Sequence, residues 1–230
     1  MQGSQNSYFA DGGGDEYFRR NHKGNSAPSP SLPGIELIRT TGVDALIPVG
    51  WAAVLGGSGG HRAAALALEL PAWNISSVDI SSEAIASGRE LFPHITHHCL
   101  DLCDVGPRLV DVIPEQDLIV LPSVLPWVDR AQLSRAVANI DETLLDGGLL
   151  MISDFLPPTR RKNPIKHAPG FFTYKQDYSE PFLSLGIYET VAVSARVAKE
   201  PADIDAQERR IASHLLRKNL TGLYPIGYSG

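Results

Sequence analysis

Residues 52–79 constrain the fold of this chain more than any other stretch of its sequence. Residues 52–55 are apolar and too few to make a helix, so they predict a buried strand. Glycines at positions 56, 57, 59 and 60 then allow the backbone to turn tightly. Helix-forming residues follow over 62–70 and end at a proline, and residues 74–78 predict a second buried strand. The stretch therefore predicts a strand, a glycine turn, a helix and a strand, with a carboxylate at its end.

The position of Asp79 just past the second strand predicts a ligand site. Ligands of open parallel sheets bind outside the carboxyl ends of the strands, where this unit places both the glycine turn and the carboxylate. A nicotinamide dinucleotide site needs a small residue at the third position of its glycine pattern, where this chain has Arg62. The second interpretation is the nucleoside pocket of an S-adenosylmethionine-dependent enzyme, in which the carboxylate accepts hydrogen bonds from the ribose hydroxyls. A structural turn with an exposed carboxylate is the third.

Strands and helices continue to alternate beyond this unit. The predicted elements are a helix over 82–91, a strand over 95–100, a strand over 117–121, a helix over 129–145 and a strand over 149–153. Short apolar strands that alternate with helices indicate a parallel sheet covered on both faces. We therefore predict an α/β fold with a doubly wound, mostly parallel sheet.

Composition excludes several classes of protein. The 230 residues suffice for one domain with short additions, and a hydrophobic content of 43% supports a real core. A net charge of -6 argues against a nucleic-acid partner. The sequence lacks an apolar run long enough to span a membrane and a secretory signal at its start. We therefore expect a cytoplasmic protein with no membrane span.

The two cysteines do not predict a metal site. Cys99 and Cys103 follow a C-x-x-x-C pattern, and a zinc site would need further ligands. His97 and His98 lie too close together on one strand to complete such a site. Reduced cysteines in a cytosolic protein are the better interpretation.

The predicted domain boundary separates an N-terminal segment, 1–50, from a single α/β domain, 51–230. Residues 1–15 are rich in glycine, serine and asparagine and predict partial disorder, whereas 15–21 and 35–39 predict short helices. A proline-rich linker is expected over 25–33. The segment is either a tail or a lid over a substrate pocket, and its aromatic residues need a surface on which to pack.

The chain changes character after residue 155. Residues 157–169 predict a loop rich in proline and basic residues. We predict a helix over 177–185, a strand over 188–197, an amphipathic helix over 204–218 and a last strand over 223–228. Later strands that return antiparallel would fit these spacings.

Five motifs between residues 50 and 155 resemble those of the class I S-adenosylmethionine-dependent methyltransferases of the small-molecule type. In chain order they are VLGGSGGHRAAALA, SVDISSEAIASGRELFP, HHCLDL, DLIVLPSVLPWVD and LLDGGLLMISDF. The glycine loop alone is weak, but five motifs in this order are fairly specific. The resemblance implies a seven-stranded sheet with the last strand antiparallel and helices on both faces. It also implies S-adenosylmethionine as the cofactor and S-adenosylhomocysteine as its product.

The same resemblance implies which residues hold the cofactor. The glycine loop approaches the methionine and ribose, Asp79 binds the ribose hydroxyls, and Asp101 and Leu102 flank the adenine. The implied cofactor-binding set is Gly56, Gly57, Ser58, Gly59, Asp79, Ile80, Asp101, Leu102, Leu121 and Pro122. One position departs from the family, because Ala53 or Val54 stands where the first strand normally ends in an acidic residue.

The acceptor side is predicted from chemistry. Methyl transfer from a sulfonium is an in-line displacement, so orientation matters most, and a base is needed only if the acceptor must lose a proton. His167 is the candidate catalytic base, with a solvated loop histidine as the alternative. Cations after the fifth strand either clamp a phosphate or carboxylate of the acceptor or lie on a solvated loop. The predicted substrate-binding set is Tyr17, Arg20, Arg160, Arg161, Lys166 and Tyr174.

Together these observations predict a methyltransferase that acts on a small-molecule substrate. Two further segments, YFADGGGDEYFRRN and YKQDYSEPF, resemble enzymes of natural-product or saccharide biosynthesis, which extends this expectation to that kind of acceptor. Two alternatives stay open: a cofactor-binding partner or regulatory subunit without catalysis, and a nicotinamide-dependent oxidoreductase. The sequence leaves both a monomer and a homodimer open.

Overall fold

A computed structural model describes residues 4–21, 32–197, 209–225 and 227 of the chain. Its strands are β1 Trp51–Leu55, β2 Asn74–Asp79, β3 Thr96–Cys99, β4 Gln116–Pro122, β5 Leu144–Phe155, β6 Arg161–Pro164, β7 Phe172–Lys175, β8 Tyr188–Val197 and β9 Arg210–Lys218. Its helices are α1 Gln5–Tyr8, α2 Gly14–Asn21, α3 Ile35–Thr41, α4 Val43–Leu46, α5 His61–Glu69, α6 Ser82–Leu91, α7 Leu109–Val112, α8 Leu133–Thr143, α9 Glu180–Leu183 and α10 Leu220–Leu223. A π-helical turn, Phe9–Gly13, joins α1 to α2, and a 3-10 turn, Leu125–Trp127, follows β4.

The main sheet has seven strands in the order β3-β2-β1-β4-β5-β9-β8, while β6 and β7 form a separate hairpin. Strands β1 to β5 pair in parallel, and β9 runs antiparallel to both β5 and β8. The predicted fold class, a mostly parallel seven-stranded sheet whose last strand is antiparallel, is confirmed.

The core lies on both faces of this sheet. Successive side chains of a strand point to opposite faces, so Ala53 and Leu55 of β1 pack with α8 on one face. Ala52 and Val54 pack with α5 on the other face. All four side chains are fully buried, and a strand covered on both faces must be apolar throughout. This explains the short apolar runs of the sequence.

The order of the strands creates a crevice beside β1. The chain moves outward from β1 to β2 and β3, and then returns to β4 on the other side of β1. The loops that follow β1 and β4 therefore diverge at the carboxyl edge of the sheet, where such folds bind ligands. The glycine turn after β1 and the end of β2 meet at this crevice.

The residues just before the two helices that border the crevice determine where each helix begins. Helix α5 begins after Gly60, whose φ of 82° favours glycine, and a Cβ there would lie 2.5 Å from the His97 ring. Helix α6 begins after Ser81, whose Oγ accepts a 3.0 Å hydrogen bond from the Ala84 backbone nitrogen. None of the helices in the described ranges is both long enough and apolar enough to cross a membrane.

The N-terminal residues form α1, a π-helical turn and α2, so the partial disorder expected over 1–15 is not seen in its described residues, 4–15. Ser4 caps α1 by accepting a 3.1 Å hydrogen bond from the Ser7 backbone nitrogen. Gly12 has a φ of 118°, and a Cβ on Gly13 would lie 2.5 Å from the Tyr8 ring. The glycines therefore form a tight turn between two helices. Most of the predicted linker over 25–33 lies outside the described residues.

Two predictions for the C-terminal part are wrong. The predicted helix over 204–218 is strand β9 in its described part, and its adjacent Leu215 and Leu216 are fully buried on opposite faces of the sheet. Apolar pairs of this kind also satisfy helical spacing, which produced the error. The predicted strand over 223–228 is not a strand in its described residues, 223–225 and 227: Leu223 ends helix α10, where Asn219 accepts a 3.0 Å hydrogen bond from the Gly222 backbone nitrogen. The predicted strand over 188–197 is confirmed as β8.

Candidate functional site

The crevice at the carboxyl edge of the sheet is a cavity of about 740 Å³. Its wall combines the ends of β1, β4 and β5 with helix α2 and the β6–β7 hairpin. Its lining residues are Phe9, Gly14, Tyr17, Asn21, Gly56, Gly57, Ser58, His61, Arg62, Asp79, Ser81, Pro122, Ser123, Val124, Pro126, Trp127, Phe155, Asn163, Pro164, Thr173 and Lys175. We call this space the main chamber.

A smaller pocket of about 70 Å³ adjoins the main chamber and shares five of its lining residues. Its lining residues are Asn6, Phe9, Gly56, Val78, Asp79, Ile80, Leu100, Asp101, Leu102, Val124, Trp127 and Val128. We call it the side pocket. Its walls are mostly apolar, with the Asp79 and Asp101 carboxylates at its polar edge.

The turn after β1 is held by backbone hydrogen bonds. The backbone nitrogens of Gly56 and Gly57 donate to the Val78 carbonyl oxygen at 2.8 and 3.1 Å. Gly56 has a φ of 71°, and a Cβ there would lie 2.7 Å from the Val124 side chain. A Cβ on Gly57 would collide with the Ser77 hydroxyl. These glycines are therefore required for the backbone to lie this close to β2 and the loop after β4.

Asp79 is anchored at the junction of the two spaces. Its Oδ2 accepts a hydrogen bond from the Ser58 backbone nitrogen at 2.7 Å, and its Oδ1 accepts one from that of Ser81 at 2.9 Å. Burial raises the pKa of Asp79, and the hydrogen bonds from backbone nitrogens only partly oppose this. A carboxylate has more lone pairs than these two bonds use, so Asp79 can accept further hydrogen bonds from a ligand.

Asp101 of the side pocket is bonded to the N-terminal segment. Its two carboxylate oxygens accept from the Asn6 Nδ2 at 3.3 and 3.2 Å, and its Oδ1 also accepts from the Cys103 backbone nitrogen at 2.9 Å. The Asn6 Oδ1 accepts from the Asp129 backbone nitrogen at 3.1 Å. The N-terminal segment therefore forms part of the side pocket.

Gln5 ties the N-terminal segment across the chamber. Its Nε2 donates to the carbonyl oxygens of Trp127 at 2.6 Å and Phe172 at 2.9 Å, and its Oε1 accepts from the Phe172 backbone nitrogen at 3.0 Å. The side chain is buried, with 4% exposed. The rings of Phe9 and Tyr17 pack edge-on against Trp127, with centroids 5.8 and 5.2 Å away. Residues 4–21 thus cover the carboxyl edge of the sheet.

Asp15 attaches the second half of this segment to helix α6. Its Oδ1 accepts from the Ser81 hydroxyl at 2.6 Å and from the Glu83 backbone nitrogen at 3.1 Å. Burial alone would raise the pKa of Asp15, but the hydrogen bonds from Ser81, Glu83 and Ser82 outweigh it and lower the pKa. A carboxylate at the start of a helix is also favoured by the helix dipole. An ion pair between Arg19 and Glu83 adds a second attachment.

The far side of the chamber carries a lysine. Lys175 of β7 is half-buried, and its Nζ lies 3.1 Å from the centroid of the Phe155 ring. Burial lowers the pKa of Lys175, while the nearby Asp154 carboxylate opposes that change. Asp154 is buried at the end of β5, and burial raises the pKa of its carboxyl group. A lysine and a buried carboxylate thus lie beside the chamber where Phe155 and the β6–β7 hairpin line it.

Comparison with solved structures identifies the fold. TehB from Haemophilus influenzae has a TM-score of 0.57 and 17% identity, over 89% of this chain and 66% of that one, just under two thirds. A 1,6-didemethyltoxoflavin-N1-methyltransferase from Burkholderia thailandensis, solved with bound S-adenosylhomocysteine, has a TM-score of 0.62 and 13% identity, over 93% and 87% of the chains. CalS10, an amino pentose methyltransferase from Micromonospora echinaspora, has a TM-score of 0.53 and 13% identity, over 87% and 95%.

This chain has the class I methyltransferase fold. Such low identities show the shared fold alone. No family model matches the sequence, and the search of curated proteins found no match.

Most of the residues predicted for the cofactor meet in the two spaces of this fold. The members that line one or both spaces are Gly56, Gly57, Ser58, Asp79, Ile80, Asp101, Leu102 and Pro122. Gly59 and Leu121 do not line either space. A Cβ on Gly59 would lie 3.1 Å from the Phe18 ring, and Leu121 is buried in the core.

The predicted acceptor residues are mostly elsewhere. Tyr17 lines the main chamber, whereas the others belong to neither lining. Arg20 pairs with Glu16 at 3.7 Å, Arg160 pairs with Glu180, and the Tyr174 ring lies 4.4 Å from the Arg130 guanidinium carbon. Arg161 starts β6, and Lys166 and His167 are exposed in the turn between β6 and β7.

Three side chains of the site escaped prediction. Arg62 was noted because it disfavours a dinucleotide site, but it was not included in the predicted cofactor-binding or substrate-binding sets. Gln5 and Lys175 carry no local signal, because their partners lie more than a hundred residues away for Gln5 and on another strand for Lys175. Within the described ranges, no group of three or more His, Cys, Asp and Glu residues is placed to hold a metal ion.

Proposed function

We propose that this protein transfers the methyl group of S-adenosylmethionine to a small-molecule acceptor. The observation that carries the proposal is the junction at Asp79, where a narrow apolar side pocket opens into a much larger chamber. The shared fold supports it, because the Burkholderia protein of this fold was solved with S-adenosylhomocysteine and 1,6-didemethyltoxoflavin bound.

The residues at the junction fit the cofactor. Asp79 can receive ribose hydroxyls, since two backbone nitrogens hold its carboxylate in place. Ile80 and Leu102 provide apolar walls for a flat base in the side pocket, and Asp101 lies at its edge. When bound, S-adenosylmethionine supplies a methyl group on a positively charged sulfur, which a nucleophile takes by in-line displacement.

The chain contributes an aromatic enclosure to this chemistry. Phe9, Tyr17 and Trp127 line the main chamber and belong to, or pack against, the N-terminal segment. Aromatic faces attract cations such as a sulfonium. We propose that residues 4–21 act as a lid that excludes water and orients the nucleophile.

The acceptor is proposed to lie between Tyr17 and the β6–β7 hairpin. Asn163 and Thr173 supply polar groups there, and Lys175 supplies the charge on that side. The proposed binding of a phosphate or carboxylate on the acceptor therefore depends on Lys175 rather than on the cations of the loop after β5. CalS10 is described as acting in calicheamicin biosynthesis, which supports an acceptor from natural-product or saccharide metabolism.

A second candidate is a cofactor-binding subunit without catalysis. It is favoured by the end of β1, where Ala53 and Val54 are fully buried and offer no carboxylate. The two candidates differ in turnover and not in cofactor binding.

The test is incubation of the protein with S-adenosylmethionine carrying a deuterated methyl group and a small-molecule extract of the source cells. Mass spectrometry should find the deuterated methyl group in an extract component, and the Asp79→Ala variant should give much less. Binding of S-adenosylhomocysteine without transfer would establish the second candidate. Failure to bind S-adenosylhomocysteine would contradict both.

A further inference from the structure

Arg62 is a half-buried cation without an ion-pair partner in the described part of the chain. It occupies the second position of α5 and lines the main chamber. Its Nη1 donates a hydrogen bond to the Pro122 carbonyl oxygen at the end of β4. No carboxylate of the described residues lies within 4.0 Å of its guanidinium nitrogens. The groups that influence its charge from a greater distance are Tyr17, Asp154 and Asp79.

Such a cation is unfavourable unless an anion joins it. Burial lowers the pKa of the Arg62 guanidinium, against the opposing effects of those three neighbours. Charges removed from water cost free energy that only close partners return. A guanidinium is planar and presents several N–H donors, which match the two oxygens of a carboxylate. A ligand carboxylate in the chamber would therefore complete the site.

The end of β1 offers no charged group to a ligand in the main chamber. Ala53 and Val54 at that end are fully buried and carry no charge. Arg62 and the glycine turn line the same chamber, and Arg62 lies only four positions after Ser58 in the chain. Arg62 therefore supplies a positive charge to the part of the main chamber beside the glycine turn.

We propose that Arg62 binds the carboxylate of the amino-acid end of S-adenosylmethionine and S-adenosylhomocysteine. The inference rests on the proposed function and adds to it the residue that distinguishes the whole cofactor from its nucleoside part. It also accounts for Arg62 at the position where a dinucleotide site requires a small residue.

Two ligands separate this role from simple structural support. S-adenosylhomocysteine and 5′-methylthioadenosine share the nucleoside and the thioether sulfur, but only the former has a carboxylate. Calorimetry should show that wild type prefers S-adenosylhomocysteine. Arg62→Met should weaken S-adenosylhomocysteine about tenfold to a hundredfold, the usual range for a hydrogen bond to a charged group, and should change 5′-methylthioadenosine by less than about threefold. Arg62→Lys keeps the charge, so its affinity for S-adenosylhomocysteine should lie between those of wild type and Arg62→Met.

Arg217→Met is the matched control. Arg217 is 42% exposed, pairs with Glu189, and lies opposite Leu149 at the amino edge of the sheet, away from the chamber. It should leave both affinities unchanged. Equal losses for the two ligands in Arg62→Met, or unchanged S-adenosylhomocysteine affinity, would overturn the inference while the proposed function stands. If wild type binds neither ligand, the inference fails together with the proposed function.

Discussion

The proposed cofactor side and the proposed acceptor side of the cavity are built in different ways. The cofactor side comes mainly from neighbouring parallel strands, and its turn is fixed by backbone hydrogen bonds to Val78 and a bond to Asp79. The acceptor side combines the N-terminal segment, the 3-10 turn after β4 and the β6–β7 hairpin, which are joined through the Gln5 side chain. One side is therefore organised by local sequence and the other by long-range contacts.

The two sides nevertheless meet through Asn6 and Phe9. Asn6 bonds to Asp101, and Phe9 lines both spaces. The lid is therefore expected to contribute to cofactor affinity as well as to acceptor binding. Side-chain contacts of this kind open more readily than a sheet, so motion should concentrate in the lid.

The largest effect is expected on the cofactor side. Asp79→Ala should weaken S-adenosylhomocysteine binding by about 1–3 kcal/mol, because the ribose hydroxyls lose a charged acceptor. Asp44→Ala, at an exposed site in α4, is the control. Calorimetry on both variants measures their affinity for S-adenosylhomocysteine, and thermal melts verify that both are folded. Equal affinity in Asp79→Ala and wild type would remove Asp79 from the site.

A smaller effect is expected where the lid meets the acceptor side. Gln5→Ala should weaken lid docking by about 1–2 kcal/mol, because buried backbone groups of Trp127 and Phe172 lose their partner. Hydrogen exchange over residues 4–21 should quicken, and the exposed Ser7→Ala should behave as wild type. Unchanged exchange in Gln5→Ala would show that other contacts hold the lid.

The turn inside the lid gives a still smaller effect. Gly12 has a φ of 118° and open space around its Cα, so Gly12→Ala should strain only the backbone, by about 1 kcal/mol. Exchange should quicken in the lid but not in the sheet. A uniform loss of protection would mean that the N-terminal segment and the sheet unfold as one unit.

A change in chemical reactivity is also expected for Lys175. Because burial lowers the pKa of Lys175, its acetylation by a trace of acetic anhydride should reach half its maximum at lower pH than for an ordinary lysine. The same residue in urea-unfolded protein is the control. The folded state binds fewer protons in that window, so unfolding free energy should rise with pH there in wild type relative to Lys175→Met. Identical midpoints in folded and unfolded protein would contradict this environment for Lys175.

The sequence predicted most of the fold, and most of the residues that meet around Asp79, for the same reason. Apolar strands, the glycine turn and Asp79 all lie within short stretches, where spacing determines which groups meet. Strand β9 was missed because the adjacent Leu215 and Leu216 face opposite sides of the sheet, which helical spacing also allows. Residues 1–15 were expected to be partly disordered because a run of glycines indicates disorder and tight turns equally.

The acceptor side was beyond sequence reasoning. The basic loop attracted attention by charge density, yet Lys162 packs on Phe172 and Arg160 pairs with Glu180. Lys175 gains its position from hairpin pairing, which sets Arg161 opposite it and brings it to Phe155. Contacts between distant segments decide which cation reaches the chamber.

The central claim is that this fold binds S-adenosylmethionine at the junction marked by Asp79. Its most direct test is calorimetric titration of the full chain with S-adenosylhomocysteine and, separately, with NAD. We predict saturable binding of S-adenosylhomocysteine that Asp79→Ala weakens, and no binding of NAD. Binding of NAD in place of S-adenosylhomocysteine, or binding of neither ligand, would contradict the claim.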